Sequence, residues 1–280
     1  QDVNLLAGRA LTKRFFPLSL SELSDGTDIE SLLKFGGLPA VASADKTKER
    51  VALLEAYHNT YLAEEIRNEG LVRRLDSFQR FLGVAGLMNA QVTNVASIAR
   101  DAGVSRQTVQ GYFDVLVDTL VGTWLPTFHP NARVREVGHP KFYFFDPGVV
   151  RGLTARLREP LDSAERGALF ETWVLHELRS FAHDADVGGP LSYWRSPSGH
   201  EVDFIWSRGS RHIGIEAKAS ARWRSQDSIG LKTLLAERKI ARAIGVYLGS
   251  TPLRDGAIEI LPIAEFSRRL ESGEIIPTDS

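Results

Sequence analysis

Apolar and polar positions divide the chain into a helical front half and a back half where short alternating runs lie between helical ones. Over residues 48–67, Val51, Leu53, Leu54, Tyr57, Tyr61, Leu62 and Ile66 recur at helical spacing, with Glu64, Glu65 and Arg67 facing out. A second helical pattern, over 95–116, breaks at Gly103. Ala99 is small where two helices would cross, Gly103 supplies a tight turn, and Val104 and Val109 fill the space beneath. Ser105 is a ready N-cap for the second helix. Two apolar runs follow, 120–125 and 141–146, around a basic loop holding Arg133 and Arg135. Helix, turn, helix and hairpin predict a winged helix.

The back half opens on an amphipathic helix over 166–178, its apolar face Leu169, Phe170, Trp173, Val174 and Leu178. Three short strands follow, 191–195, 200–206 and 212–218, joined by the turn-forming stretches 197–199 and 208–210. A further helix is expected over 227–239, with Ile229, Leu231, Leu234 and Leu235 inward, then a buried strand over 241–248. The expected class is mixed α/β, with turns or loose chain at 186–190 and after Ile276.

The candidate chemistry sits on the three strands. Strand side chains alternate between faces, so Glu216 and Lys218 share one while Ala217 takes the other. Strands joined by so short a turn are antiparallel neighbours, which sets Asp203 beside Glu216. Two carboxylates that close repel unless a cation lies between them, and Mg²⁺ or Mn²⁺ suits such oxygen donors. Glu171, from the preceding helix, is the third candidate ligand. Lys218 would polarise a phosphate oxygen or hold an attacking water. Acid-x-lysine triplets alone are common on solvated strand edges; order, spacing and strand context together carry the reading. Glu177 faces away from Glu171 and reads as structural. His200 and His212 flank the strands as ordinary surface residues.

In this order, Gly167-x-x-x-Glu171, Asp203 and Glu216-x-Lys218 resemble the signature of the PD-(D/E)xK superfamily of restriction-endonuclease-like folds. That resemblance implies a metal-dependent nuclease with Glu171, Asp203, Glu216 and Lys218 catalytic, and Asp203, Glu216 and Glu171 holding the metal. Relatives that keep the fold and use it only for binding leave a non-catalytic module as the alternative. A wider resemblance, from Leu6 to about Pro262, is to prokaryotic AAA-type ATPases with such a C-terminal domain. It rests on Gly8-Arg9, Pro17-Leu18-Ser19, Phe35-Gly36-Gly37-Leu38-Pro39, Tyr143-Phe144-Phe145-Asp146, Phe170-Glu171, Glu201-Val202-Asp203 and Glu216-Ala217-Lys218. It implies an ATPase C-terminal remnant over 1–40, a helical linker over 41–75, a winged helix over 76–147 and the nuclease-like domain over 148–280. The chain contains no Gly-x-x-x-x-Gly-Lys-Ser/Thr loop. No residue is therefore assigned to nucleotide, ATP belongs only to a longer form carrying that loop, and the abrupt start at Gln1 reads as a fragment.

Charge tempers the nucleic-acid reading. With 34 Lys and Arg against 35 Asp and Glu, the net charge is −1, so DNA affinity must come from a local patch. The second helix of the helix-turn-helix offers Arg106 against Asp114 and Asp118. The hairpin is more basic, and Arg106, Arg133, Arg135 and Lys141 are the candidate DNA contacts. A protein partner or self-association is the other use of such a helix. Zero cysteines exclude disulfides and thiolate zinc. No apolar run would span a bilayer, and the expected location is the cytoplasm.

Overall fold

A computed structural model of the chain describes residues 14–23, 26–58, 75–129 and 138–278. The expected helix over 48–67 is placed in its first half, and the rest of it lies outside the described residues, as do Gly8, Arg9, Arg133 and Arg135.

Three short helices come first: α1 (Ile29–Phe35), α2 (Pro39–Ala42) and α3 (Thr47–Ala56). Asp28 starts α1 by accepting from the backbone N–H groups of Glu30 and Ser31. A trio follows, α4 (Leu75–Leu87), α5 (Val95–Ala102) and α6 (Arg106–Asp118). Asn94 caps α5, Gly103 turns the chain at φ 67°, and Ser105 caps α6 through the Thr108 N–H. Ile98, Ala99, Ala102, Val109, Phe113 and Leu116 are buried where these helices meet. Strands β1 (Gly122–Leu125) and β2 (Lys141–Phe144) then pair antiparallel. Two helices joined at Gly103 and an antiparallel strand pair therefore follow one another in the expected order.

After α7 (Pro147–Leu153) comes the long α8 (Ser163–Asp184), then β3 (Leu191–Arg195), β4 (Glu201–Arg208) and β5 (Arg211–Lys218). A 3-10 turn at Ser225–Ser228 leads into α9 (Ile229–Ala236), followed by β6 (Arg242–Tyr247), β7 (Leu253–Asp255), β8 (Ile258–Pro262) and α10 (Ile263–Glu271). The fold is mixed α/β. Its six-stranded sheet runs β3-β4-β5-β6-β8-β7, with β3, β4 and β5 antiparallel and β5, β6 and β8 parallel. Ile213, Ile215 and Ala217 pack with Leu169, Phe170 and Trp173 of α8. The opposite face holds Val202, Ile205, Leu231, Leu234 and Ala243, under α9.

Three differences from the expected pattern have physical causes. Ile229 is 38% exposed, because the chain is still leaving its 3-10 turn there; Leu231 and Leu234 make the contact with the sheet. Strands β7 and β8 and helix α10 close the sheet's far edge, where β7 is only three residues long. Residues 14–23, expected at the edge of an ATPase domain, lie along α8. Phe16 meets His176 and His183, and Glu177 accepts from the Leu20 N–H (2.7 Å) and the Ser267 hydroxyl (2.6 Å).

The Gly36-Gly37 and Asp146-Pro147-Gly148 stretches form one clasp. Asp146 is fully buried, and its carboxylate accepts from the N–H groups of Gly37 (2.7 Å) and Val149 (3.0 Å). Burial pushes its pKa up to about 6 against those hydrogen bonds. Gly36 has φ 73°, and a Cβ there would lie 2.0 Å from the Asp146 Oδ1. These motif residues build the scaffold beneath the hairpin and take no part in the acid cluster described next.

Candidate functional site

The site begins with an irregularity in β4. Ser192 pairs with Ile205 and Trp194 with Val202, so β4 spends one residue more than β3 over the same stretch. That bulge lets Val202 and Ile205, three apart, both join the core under α9, while Phe204 joins the core under α8. Bulges re-aim side chains in this way. Asp203, inside the bulge, is 4% exposed and turns its Oδ1 to within 4.0 Å of the Lys141 Nζ.

The β4–β5 register is regular from Arg208–Arg211 to Phe204–Ile215. Beyond it, side chains take over the pairing. The Asp203 carboxylate accepts from the Ala217 N–H (2.9 Å), and the Glu216 carboxylate accepts from the Asp203 N–H (3.2 Å). The two acids therefore sit together because each is held by the other strand's backbone. Lys218, one-third exposed, ion-pairs with Glu216.

Glu171 approaches from α8 and accepts a hydrogen bond from the Tyr143 hydroxyl (3.0 Å). Its nearest cation is Lys141 Nζ at 3.5 Å, and Lys141 also pairs with Glu201. Lys141 and Tyr143 alternate along β2, whose other face puts Phe142 against Phe113 and Trp124. The two-stranded β1–β2 sheet thus contributes two polar side chains to the acid cluster.

Charge here is uneven: Glu171, Glu201, Asp203 and Glu216 face two lysines. Burial, then the neighbouring Asp203, lifts Glu171 to about 7, while Lys141 pulls it back. Burial and Asp203 likewise hold Glu216 well above the usual carboxylate range. Burial alone would lower Lys141, but Glu171, Asp203 and Glu201 outweigh it and keep the ammonium charged. Lys218 follows the same balance against Asp203 and Glu216.

The structure brings together Glu171, Asp203, Glu216 and Lys218. It corrects the assignment of Lys141, which is 4% exposed among carboxylates and has no surface from which to meet a DNA backbone. Arg106 is exposed at the start of α6, as expected, while Arg133 and Arg135 lie outside the described residues. Tyr143 and Glu201 went unassigned in the sequence. The alternation of Lys141 and Tyr143 against Phe142 and Phe144 was their signal. The carboxylate oxygens suit Mg²⁺ or Mn²⁺ in kind. In position they do not yet suit it: among the described residues, no three acidic or imidazole groups stand together as a ready ligand set. Lys218 pairs with Glu216, while Lys141 pairs with Glu171 and Glu201 and reaches Asp203 at 4.0 Å.

Residues 26–159 match a family model described as a domain of unknown function (DUF8612). Residues 166–266 match a second, also described as a domain of unknown function (DUF4143). No curated protein matches the chain. Among the described residues, no helix is long and apolar enough to cross a membrane.

Proposed function

We propose that the cluster of Glu171, Asp203, Glu216 and Lys218 handles a phosphodiester, as a metal-dependent nuclease-like site working on DNA. One observation carries this reading: three acids from α8, β4 and β5 meet a one-third-exposed lysine where the β4–β5 ladder gives way to side-chain hydrogen bonds. Asp203 and Glu216, with Glu171, would hold the divalent ion, which when bound supplies charge to a developing phosphorane. The protein's own groups do the remaining work. Lys218, the more exposed of the two lysines, presents its ammonium to a phosphate oxygen. Burial and Asp203 raise Glu171 to about 7 without metal, so a divalent ion binding there would displace its proton.

A second reading has its own observation. Lys141 and Lys218 already ion-pair with the acids, and among the described residues no metal cage is formed in advance. That arrangement favours a binding module that keeps the fold without the chemistry. The match of 166–266 to a domain of unknown function (DUF4143) agrees with the resemblance to AAA-type ATPases carrying such a C-terminal domain, in which either form would then sit.

Cleavage of DNA in Mg²⁺ or Mn²⁺, compared between wild type, Asp203→Asn and Lys218→Ala, separates the two. A catalytic site loses on the order of 10²-fold in rate in each variant, with the fold intact by circular dichroism. Cleavage that survives in Asp203→Asn, or none by the wild type with either metal, ends the catalytic reading.

A further inference from the structure

A second polar site lies away from the acids, where residues 14–16, α8 and β1 meet. Arg179 is on α8, eight residues beyond Glu171, a rise of about 12 Å. Its side chain is partly buried, and the guanidinium lies 5.6 Å from the Phe16 ring centroid. The nearest charge acting on it is another guanidinium, Arg14; burial and that neighbour push Arg179 down to about 10. Among the described residues, neither arginine has a carboxylate at ion-pair distance. His183 is no substitute: its Nε2 accepts from the Arg14 backbone N–H (3.1 Å), and an imidazole carries no negative charge to balance a guanidinium.

A partly buried cation without a counter-ion is costly, and the exposed Arg14 beside it adds positive charge rather than relieving it, so an anion is what the position lacks. The cavity beside them has about 240 Å³ and is lined by Arg14, Phe16, Thr123, Trp124, Arg179 and His183. That is smaller than the roughly 300–1,000 Å³ of a drug-sized site but ample for a phosphoryl group. Guanidinium pairs fork onto phosphate oxygens, and the indole of Trp124 and ring of Phe16 offer faces to an attached base. Gly189 and Leu191, just before and at the start of β3, also line it. The acids lie by the strand's other end, where Arg195 faces Glu201.

We propose that this pocket binds the phosphoryl group of a nucleotide unit, clamped by Arg14 and Arg179. The unit is either part of a nucleic-acid strand or a free nucleoside phosphate. Binding here needs no metal and does not depend on the acid cluster being catalytic.

The test uses the full chain in EDTA, with inorganic phosphate, AMP and a labelled single-stranded 12-mer as probes. Thermal melts and fluorescence anisotropy are run on wild type, Arg179→Met, Arg14→Ala and Asp203→Asn. Phosphate should raise the wild-type melting temperature and leave Arg179→Met unmoved. Each arginine variant should lose about tenfold or more in affinity for the nucleotide probe, and Asp203→Asn should keep it. Without ligand, Arg179→Met should melt no lower than wild type, since it removes an unpaired charge. Tighter binding of the 12-mer than of AMP assigns the pocket to a strand, and the reverse to a free nucleotide. No probe binding to wild type overturns the proposal, as does equal binding by Arg179→Met and Arg14→Ala. A marked fall in the ligand-free melting temperature of Arg179→Met also overturns it, because the guanidinium would then be structural.

Discussion

Replacing Lys141 with methionine removes the charge that stands among Glu171, Asp203 and Glu201 while keeping most of its length. Breaking a buried ion pair by deleting one partner leaves the other uncompensated, at about 3–5 kcal/mol. Two of the three acids here retain some access to water, with Glu171 and Glu201 side chains 22% and 24% exposed, so the low end applies. A loss of about 3 kcal/mol corresponds to a melting temperature lower by roughly 6–12 °C. The loss must depend on pH, and the sign follows from Glu171. Burial and Asp203 raise its folded pKa from the usual 4.5 to about 7, so the stability it lends is complete below the unfolded value and fades as pH rises through 7. Without Lys141 the ionised form is less tolerable still. The penalty of the substitution should therefore be larger at pH 8 than at pH 6, by roughly 1 kcal/mol. Differential scanning calorimetry of both proteins at the two pH values measures it. An equal drop at both pH values, or no drop at all, would refute the account of Lys141 as the cluster's internal counter-ion.

Two more outcomes follow from the geometry. Because burial and Asp203 raise Glu171 to about 7 and push Glu216 upward as well, Mn²⁺ binding should release protons and tighten from pH 6 to pH 8; calorimetry in buffers of different ionisation heat reads both, and a pH-independent affinity contradicts it. Gly36→Ala should destabilise by more than about 1 kcal/mol, since φ 73° disfavours alanine and its Cβ would meet the Asp146 carboxylate, and an unchanged urea midpoint would remove the clasp from the scaffold.

What could be read in the sequence was whatever depends on neighbours along the chain. The N-caps at Asn94 and Ser105 and the turn at Gly103 are local chemistry, and they fall where the helix-turn-helix needs them. The short turn at Gly209 fixes β4 against β5, and so sets Asp203 beside Glu216. The bulge was not legible, because it is defined by β3 as much as by β4. Lys141 was misassigned for a related reason. It is a basic residue next to a basic loop, and the acids it meets are 30 or more residues away. Arg179 escaped notice altogether, since a charge on an amphipathic helix looks solvated until Phe16 is found lying over it.

Strand β2 has four residues and serves two masters. Its phenylalanines belong to the aromatic packing around Phe113, and its lysine and tyrosine belong to the acids of α8 and the sheet. The boundary between the two matched families falls between residues 159 and 166, downstream of that strand. A recombination that joined the back part to a different front part would keep Glu171, Asp203, Glu216 and Lys218 and lose Lys141 and Tyr143. The two parts are thus bound to change together: a substitution that shifts the hairpin for the sake of the helices also resets the charge on the acids, and neither part is free to drift alone.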